Sequence, residues 1–175
     1  MSDPDEEILS QALAGDTAAF GALVRSQQRA VYSLALRMLS DHQQAEDLAQ
    51  EVFLRLYRNL SSVGSLAHLS FWLRKVTVNG AIDRLRRENR YQAVPLEQAG
   101  DISGATTDTD PLLERRLRSL LLQLAPAPRA VLLLRYQEDL DPTEIARTLG
   151  MSINTVKSHL KRSLALLRDS IGEIA

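Results

Sequence analysis

Two consecutive stretches near the C-terminus decide the fold: DPTEIARTLG at residues 141–150 and MSINTVKSHLKR at residues 151–162. The first is typical of a short helix, because Asp141 can cap it and Glu144, at the third helical position, completes a capping box. Gly150 suits the left-handed conformation that ends a helix, and Ser152 can cap the next one. Two capped helices joined by a glycine turn predict a helix-turn-helix, a motif whose second helix enters the major groove of DNA.

The second of these helices has an apolar side and a polar side. Five apolar residues recur at helical spacing and are predicted to face the core: Ile153, Val156, Leu160, Leu164 and Leu167. Their predicted packing partners are Leu132, Leu133, Tyr136, Ile145 and Leu149. The polar side, with one residue of the supporting helix, carries the candidate contacts to base edges and phosphates. These are Arg147, Asn154, Thr155, Lys157, Ser158, Lys161 and Arg162. A plain helical hairpin with a solvated basic face would share the cations but not the caps and the turn.

The composition excludes several classes of protein. The 175 residues are 45% hydrophobic and 25% charged, which is typical of a soluble globular protein. Cysteine is absent, so disulfides and thiolate zinc sites are excluded, and we expect neither a metal nor a cofactor. No apolar run is long enough to cross a bilayer, and the acidic N-terminus is unlike a secretory signal. We therefore expect no membrane insertion and a cytoplasmic location.

Charge is distributed unevenly along the chain, although the net charge is only −1. Residues 1–58 carry nine acids against five arginines, whereas residues 74–90 carry six cations against two acids. Residues 92–114 carry five acids and no cation, and residues 157–168 carry four cations and no acid. Two basic segments on either side of an acidic one suit a polyanion that is held at two places.

Helical periodicity accounts for most of the sequence, and no convincing alternating strand pattern occurs. Helices are predicted near residues 5–14, 17–39, 42–59, 70–89, 111–124, 127–137, 142–149 and 153–170. Residues 92–110 are small, polar and acidic with little to bury, which predicts a flexible acidic linker. The expected fold is therefore all-α, with two small helical domains at residues 1–91 and 111–175, the second of them the helix-turn-helix domain.

The basic helix near residues 70–89 combines an aromatic ring, an amide and cations. Its predicted core stripe is Phe71, Val78, Ile82 and Leu85. Beside that stripe lie Trp72, Lys75, Asn79 and Arg86, with Asp83 at its margin. A ring on which bases stack, an amide for a base edge and cations for phosphates fit single-stranded nucleic acid. The alternative is that Trp72 is a core aromatic, because large aromatic side chains are usually well buried.

The acidic helix near residues 42–59 carries a leucine on its polar side. Its predicted core stripe is Ala45, Leu48, Val52 and Leu56. The opposite side carries Asp47, Gln50, Glu51, Leu54 and Arg58. Leu54 is therefore either an ordinary exposed leucine or an anchor for a protein partner with a basic surface. His42 and Glu46 are one turn apart, but without a second histidine nearby they are interpreted as a solvated pair rather than metal ligands.

Taken in chain order, the acidic helix, the basic helix and the helix-turn-helix resemble those of bacterial RNA polymerase sigma factors of the extracytoplasmic-function (ECF) type, in the sigma-70 family. The resemblance covers nearly the whole chain. EDLAQEVFL at residues 46–54 is similar to the family's polymerase-binding helix. FWLRKV at residues 71–76, followed by Asn79 and DRLRR at residues 83–87, is similar to the helix that melts the promoter and reads its minus-ten element. PAPRAVLLLRY at residues 126–136 and the helix-turn-helix are similar to the domain that reads the minus-thirty-five element.

The resemblance implies partners and a role for each surface. Core RNA polymerase is the implied partner, through the clamp helices of its largest subunit and through its flap. The clamp helices would be contacted by Asp47, Gln50, Glu51 and Leu54. The implied minus-ten contacts are Trp72, Lys75, Asn79, Asp83, Arg84, Arg86 and Arg87. Asn79 would help to hold a base flipped from the non-template strand, in a pocket walled by residues 60–69. The helix-turn-helix would contact the minus-thirty-five element of promoter DNA, and an anti-sigma factor is the implied regulator.

Three functions compete. The leading interpretation is an alternative sigma factor, a non-enzymatic subunit that binds core polymerase and directs promoter recognition and transcription initiation. A conventional helix-turn-helix regulator would bind duplex DNA without polymerase, but such proteins usually dimerise, and no heptad seam for dimerisation is evident. A nucleic-acid enzyme would have to use the carboxylates Glu46, Asp47 and Glu51, which lie on the outer face of one helix without a second cluster of metal ligands.

Overall fold

The computed structural model describes residues 4–91 and 111–172. These residues form eight α-helices and one short 3-10 helix, and no strand occurs among them. In chain order the elements are α1 (Pro4–Leu13), α2 (Thr17–Leu39), α3 (His42–Asn59), the 3-10 helix (Leu60–Ser62), α4 (Leu66–Tyr91), α5 (Pro111–Gln123), α6 (Pro126–Tyr136), α7 (Pro142–Leu149) and α8 (Ile153–Gly172). The predicted all-α class is confirmed, and each predicted helix is present.

The chain divides into two compact units, residues 1–81 and 82–175. The division falls within α4. The predicted linker, residues 92–110, lies outside the described residues. The predicted domain limits at residues 91 and 111 therefore stay a prediction.

Helices α2 and α3 of the first unit are joined by a tight turn. Ser40 ends α2 in the left-handed conformation, with φ of 55°. Asp41 begins α3, because its carboxylate accepts a hydrogen bond from the backbone N–H of Gln44 at 2.9 Å. The predicted core stripe of α3 is confirmed, since none of its members is more than 2% exposed: Ala45, Leu48, Val52 and Leu56.

Helix α4 begins at Leu66, earlier than the predicted residue 70. The reason is a cap that the sequence analysis missed: Ser65 Oγ accepts a hydrogen bond from the backbone N–H of His68 at 3.1 Å. With the 3-10 helix before it, this start leaves only residues 63–65 of the expected loop outside helices. Residues 60–69, the predicted wall of the base pocket, are therefore largely helical rather than a loop.

The predicted core stripe of α4 is partly wrong. Val78 and Ile82 are buried as expected, but Phe71 and Leu85 are only half-buried. The first half of α4 is buried instead through Leu69, Leu73 and Thr77. Because a threonine can satisfy its hydroxyl within the helix, as Thr77 Oγ1 does by donating to Leu73 O at 2.7 Å, an apolar pattern alone does not find it.

Helices α6, α7 and α8 enclose the core of the second unit. Its fully buried side chains include Val131, Leu133, Leu134, Ile145 and Val156. The predicted core side of α8 is partly wrong, because Ile153 and Leu164 are exposed and Ser163 is buried. Leu164 lies about 80° around the helix from Val156, at about 100° per residue, so its side chain points past the edge of the core. Tyr136, a predicted packing partner, is also exposed.

A buried arginine joins the end of α5 to α6. Arg129, in α6, is only 5% exposed. Its guanidinium donates from Nε to Leu121 O at 3.0 Å, and from Nη2 to Leu122 O at 2.9 Å and to Leu124 O at 3.1 Å. Carbonyls at the C-terminal end of a helix attract cations. Burial lowers the pKa of the Arg129 guanidinium, but an arginine remains charged at neutral pH.

Candidate functional site

The caps expected for the helix-turn-helix are present. Asp141 Oδ1 accepts hydrogen bonds from the backbone N–H groups of Thr143 at 2.7 Å and Glu144 at 2.9 Å. Glu144 Oε2 accepts in return from the backbone N–H of Asp141 at 2.8 Å, which completes the capping box. Gly150 ends α7 with φ of 65°, a conformation in which a side chain would be strained. The angle between α7 and α8 is thus defined by local chemistry.

Thr155, one of the predicted DNA contacts, also takes part in the cap at the start of α8. Ser152 Oγ accepts a hydrogen bond from the backbone N–H of Thr155 at 3.1 Å and shares another with Thr155 Oγ1 at 2.8 Å. The hydroxyl of Thr155 therefore belongs to the cap as well as to the exposed surface. Any contact that it makes with DNA has to use its remaining hydrogen-bonding capacity.

The outer face of α8 is polar, cationic and open. All seven predicted contacts of the helix-turn-helix are exposed: Arg147, Asn154, Thr155, Lys157, Ser158, Lys161 and Arg162. Apart from Thr155, none of their side chains has a hydrogen bond or an ion pair within the described residues. Those on α8 lie on the side opposite to the buried Val156 and Ser163. Such a face can contact phosphates and base edges without first breaking internal bonds.

The first half of α4 carries the ring and the amide that were predicted to contact DNA. Trp72 is partly buried. The core interpretation and the base-stacking interpretation of its ring both stay predictions. Asn79 is also half-buried, and its amide has no hydrogen bond within the described residues. Lys75 is exposed, and its Nζ lies 5.9 Å from the centroid of the Phe71 ring, within the range of a cation–π contact.

The second half of α4 carries the remaining candidates. Asp83, Arg86 and Arg87 are exposed, and Arg84 is half-buried. Arg87 Nε donates to the backbone oxygen of Asp83 at 3.3 Å, which directs its side chain back along the helix. Three of the predicted cations, Arg84, Arg86 and Arg87, thus follow Trp72 and Asn79 along the same helix.

The predicted protein-docking residues lie on the outer face of α3. Asp47, Gln50 and Leu54 are exposed, and Leu54 is 60% exposed. Asp47 accepts a hydrogen bond from the side-chain amide of Gln43 at 3.1 Å. Glu51 is partly exposed and forms an ion pair with Arg55 one turn later. A large exposed leucine beside acids is a surface that can bind a protein partner.

A groove beside this face was missed by the sequence analysis. It has a volume of about 870 Å³, and its walls come from α2 and α3. We call it the α2–α3 groove; it is lined by Phe20, Val24, Gln28, Arg29, Tyr32, Glu46, Ala49, Gln50, Phe53, Leu54 and Tyr57. The signal was present as Phe20, Val24 and Tyr32, which recur every four or eight residues on α2 outside its core stripe. It could not be joined to Leu54 without knowing how α2 packs on α3.

Aromatic contacts define the two ends of the groove. At one end the rings of Phe20 and Tyr57 meet edge to face, with centroids 5.2 Å apart. At the other end Tyr32 Oη and His42 Nδ1 form a hydrogen bond of 2.7 Å, so His42 pairs with a tyrosine. Because the start of α2 meets the end of α3 and a later part of α2 meets the start of α3, the two helices run antiparallel. Phe20 and Tyr32 are separated by about 18 Å along α2, at 1.5 Å per residue.

Comparison with known proteins identifies the family. The family profile Sigma-70 region 2 matches residues 23–91, and Sigma-70, region 4 matches residues 114–167. The RNA polymerase sigma-E factor of Streptomyces avermitilis is 33% identical over 90% of this chain and 87% of its own. The chain belongs to the ECF sigma factors of the sigma-70 family. This sigma factor is also similar to the ECF RNA polymerase sigma factor SigW of Bacillus subtilis. The two are 28% identical over 95% of this chain and 96% of SigW.

A solved structure shares the fold of this sigma factor. The sigma factor RpoE of Bartonella quintana, in complex with the anti-sigma factor NepR, superposes with a TM-score of 0.72 at 22% identity, over 87% of this chain and 96% of that one. Members of the family are generally DNA-binding regulators rather than enzymes. Within residues 4–91 and 111–172, no helix is long and apolar enough to span a membrane, and no group of three His, Asp or Glu residues could hold a metal ion.

Proposed function

We propose that this sigma factor docks on core polymerase through α3 and the α2–α3 groove, and reads two promoter elements through α4 and α8. The observation that carries the proposal is the 60% exposed Leu54, which lies both on the acidic face of α3 and on the rim of the groove. An apolar side chain that a partner desolvates completely, while surrounding residues exclude water, can contribute a large share of the binding energy. The two cationic helices supply the promoter-binding surfaces.

The proposed partner surface on polymerase is the pair of clamp helices of the largest subunit. The groove is long enough for about three helical turns of a partner. Arg29 and Glu46 line it, and neither has an ion pair within the described residues. A partner helix can therefore place an acid toward Arg29 and a cation toward Glu46, while apolar side chains fill the space beside Leu54 and Tyr57.

The proposed minus-ten contacts combine stacking, hydrogen bonding and charge. The open amide of Asn79 would bond the edge of a flipped base, and the partly exposed ring of Trp72 would stack on a neighbouring base. Lys75, Arg84, Arg86 and Arg87 would hold the phosphate backbone of the opened region. The Asp83 carboxylate would accept a hydrogen bond from a base amino group at the duplex edge. The proposed minus-thirty-five contacts are the seven exposed residues of the helix-turn-helix, in the major groove.

A flap contact is proposed for α5. This helix has no fully buried residue, and Leu112, Leu113 and Leu117 are 43–68% exposed. Exposed leucines in this number fit a protein partner rather than solvent. An anti-sigma factor is proposed by analogy with the complex of RpoE with NepR, whose sigma-factor partner shares this fold. It would act by covering the surfaces that polymerase needs.

A gel-shift experiment tests the proposal. The chain, purified bacterial core polymerase and both together would be mixed with a pool of genomic promoter fragments. We expect stable complexes only in the mixture of both proteins, and we expect Asn79→Ala to abolish promoter opening while retaining the complex with polymerase. A chain that binds duplex fragments equally well without polymerase would instead be a conventional regulator.

A further inference from the structure

Gly80 of α4 lies directly against the side chain of Leu48 of α3. A Cβ atom placed on Gly80 would lie 2.7 Å from Leu48 Cδ1, 3.9 Å from its Cγ and 4.0 Å from its Cδ2. The first of these distances is well inside the contact distance of two carbon atoms. Any side chain at this position therefore requires Leu48 or one of the two helices to move.

Leu48 has little room to move. It is 2% exposed, and its neighbours along α3, Ala45 and Val52, are completely buried. On α4, Thr77 and Ala81 on either side of Gly80 are also completely buried. Close-packed interiors transmit such overlaps into shifts of the backbone, because side chains there occupy single rotamers. A methyl group at residue 80 would thus displace α4 from α3.

The contact joins the two proposed working surfaces of the first unit. On α3, Leu48 follows Asp47 and lies on the inner side of the helix whose outer side carries Leu54. On α4, Gly80 follows Asn79, whose amide has no hydrogen bond within the described residues to hold it. The position of that amide relative to the docking face therefore depends on how closely α4 lies against α3.

We infer that Gly80 is a positioning residue for promoter opening: its missing side chain seats α4 on Leu48 and so places Asn79 at a defined distance from the polymerase-docking face of α3. The inference rests on the proposed function, because it assigns Gly80 a part in the use of that same surface. Asn79 has to reach the flipped base while polymerase holds α3. A shift of α4 relative to α3 would therefore move Asn79 away from that base.

The test compares Gly80→Ala with Gly21→Ala. Both replace a glycine inside a helix, which raises helix propensity by a similar amount. A Cβ on Gly21 would meet only Arg25 Nη1, the end of a flexible side chain, at 3.3 Å. Holoenzyme would be formed with core polymerase, and opening would be followed by 2-aminopurine fluorescence in the minus-ten non-template strand of a promoter that the wild-type protein opens.

We expect Gly80→Ala to keep core-polymerase affinity within about twofold and to reduce opening by about tenfold, the order of an overpacked contact. Gly21→Ala should match the wild type in both measurements. The double variant Gly80→Ala, Leu48→Val conserves the number of side-chain carbons at the contact and removes the clashing Cδ1 atom. It should recover opening to within about threefold of the wild type.

Each other outcome overturns the inference. Equal opening by Gly80→Ala and wild type would show that the contact does not position Asn79, and an equal loss of affinity and opening would show a purely structural role. If Gly80→Ala does not fold, a double variant that also fails to fold or to open contradicts the proposed packing. A wild-type holoenzyme that opens no promoter would overturn the proposed function itself, which distinguishes the two failures.

Discussion

The α2–α3 groove and the outer face of α8 are both open surfaces, but they are built from opposite kinds of side chain. The groove presents aromatic and aliphatic groups such as Phe53, Leu54 and Tyr57, with one cation and one acid on its walls. The face of α8 presents amides, hydroxyls and cations, among them Lys157 and Lys161, without an apolar floor. The first can bind by burying apolar area, and the second by releasing the counterions of phosphates.

This difference makes salt the variable that distinguishes the two surfaces. Apolar burial changes little with moderate salt, whereas binding that depends on phosphate contacts weakens steeply as salt rises. We therefore expect variants of the groove to change polymerase affinity by a factor that is nearly independent of salt. Variants of α8 should change the salt dependence of promoter binding itself.

The largest effect is expected for Leu54→Ala. Removing an exposed apolar anchor at the centre of an interface costs about 2 kcal/mol, or roughly thirtyfold in affinity for core polymerase. Fluorescence anisotropy of labelled protein at two salt concentrations would measure it. Leu13→Ala, which truncates a 42% exposed leucine at the end of α1, is the matched control and should bind as the wild type does. Equal affinities of Leu54→Ala and Leu13→Ala would remove the groove from the docking surface.

A smaller effect is expected for Asp141→Ala, which removes the two hydrogen bonds that the Asp141 carboxylate accepts at the start of α7 and leaves only the bond from its backbone N–H to Glu144. Loss of such a cap costs about 1 kcal/mol of unfolding free energy and loosens the support of α8. Calorimetry should show a lower melting temperature, and holoenzyme should bind promoter DNA several-fold more weakly. Thr143→Ala, a neighbouring exposed position whose backbone N–H still donates to Asp141, serves as the control. Unchanged stability of Asp141→Ala would contradict the cap's role.

Lys161→Ala should weaken promoter binding only a few-fold, but it should reduce the slope of log affinity against log salt by about 0.9. The reason is the loss of one phosphate contact, which carries no sequence information. Holoenzyme binding to one promoter fragment across a salt series would measure the slope. Lys161→Arg keeps the charge and should keep the slope. A slope that Lys161→Ala leaves unaltered would exclude this lysine from the phosphate contacts.

The smallest effect is expected for Glu51→Ala. Because Glu51 is paired with Arg55 and both side chains are about half exposed, the pair is screened by water and contributes little by itself. We expect core-polymerase affinity to fall about twofold, and the fall to shrink as salt is added. A loss as large as that of Leu54→Ala would mean that charge rather than apolar area dominates this surface.

The sequence predicts local features of this molecule well and tertiary features less well. The capping box of Asp141, the turn at Gly150 and the buried stripe of α3 depend on neighbours within a few residues, and the structure confirms them. The start of α4 was missed because Ser65 is a cap without any other nearby signal. The roles of Leu164 and Tyr136 were wrong because helical spacing gives a direction but not the width of the core.

The groove could not be predicted from the sequence for a related reason. Its walls come from two helices, and the apolar residues on each, such as Val24 and Phe53, are only half-buried. Each set by itself looks like the edge of a core stripe. Only the antiparallel pairing, with Phe20 against Tyr57, brings both sets to one opening. The same holds for Gly80, whose importance lies in a contact with another helix.

The most direct test of polymerase docking and promoter reading is transcription by purified bacterial core polymerase on genomic DNA, with and without this chain, followed by mapping of RNA 5′ ends. We expect new 5′ ends only when the chain is present, preceded by two short shared elements at constant spacing. These ends should be strongly reduced with Leu54→Ala and retained with Leu13→Ala. If the chain adds no 5′ ends, or adds the same ends with Leu54→Ala, the proposed docking of an apolar groove on polymerase is wrong.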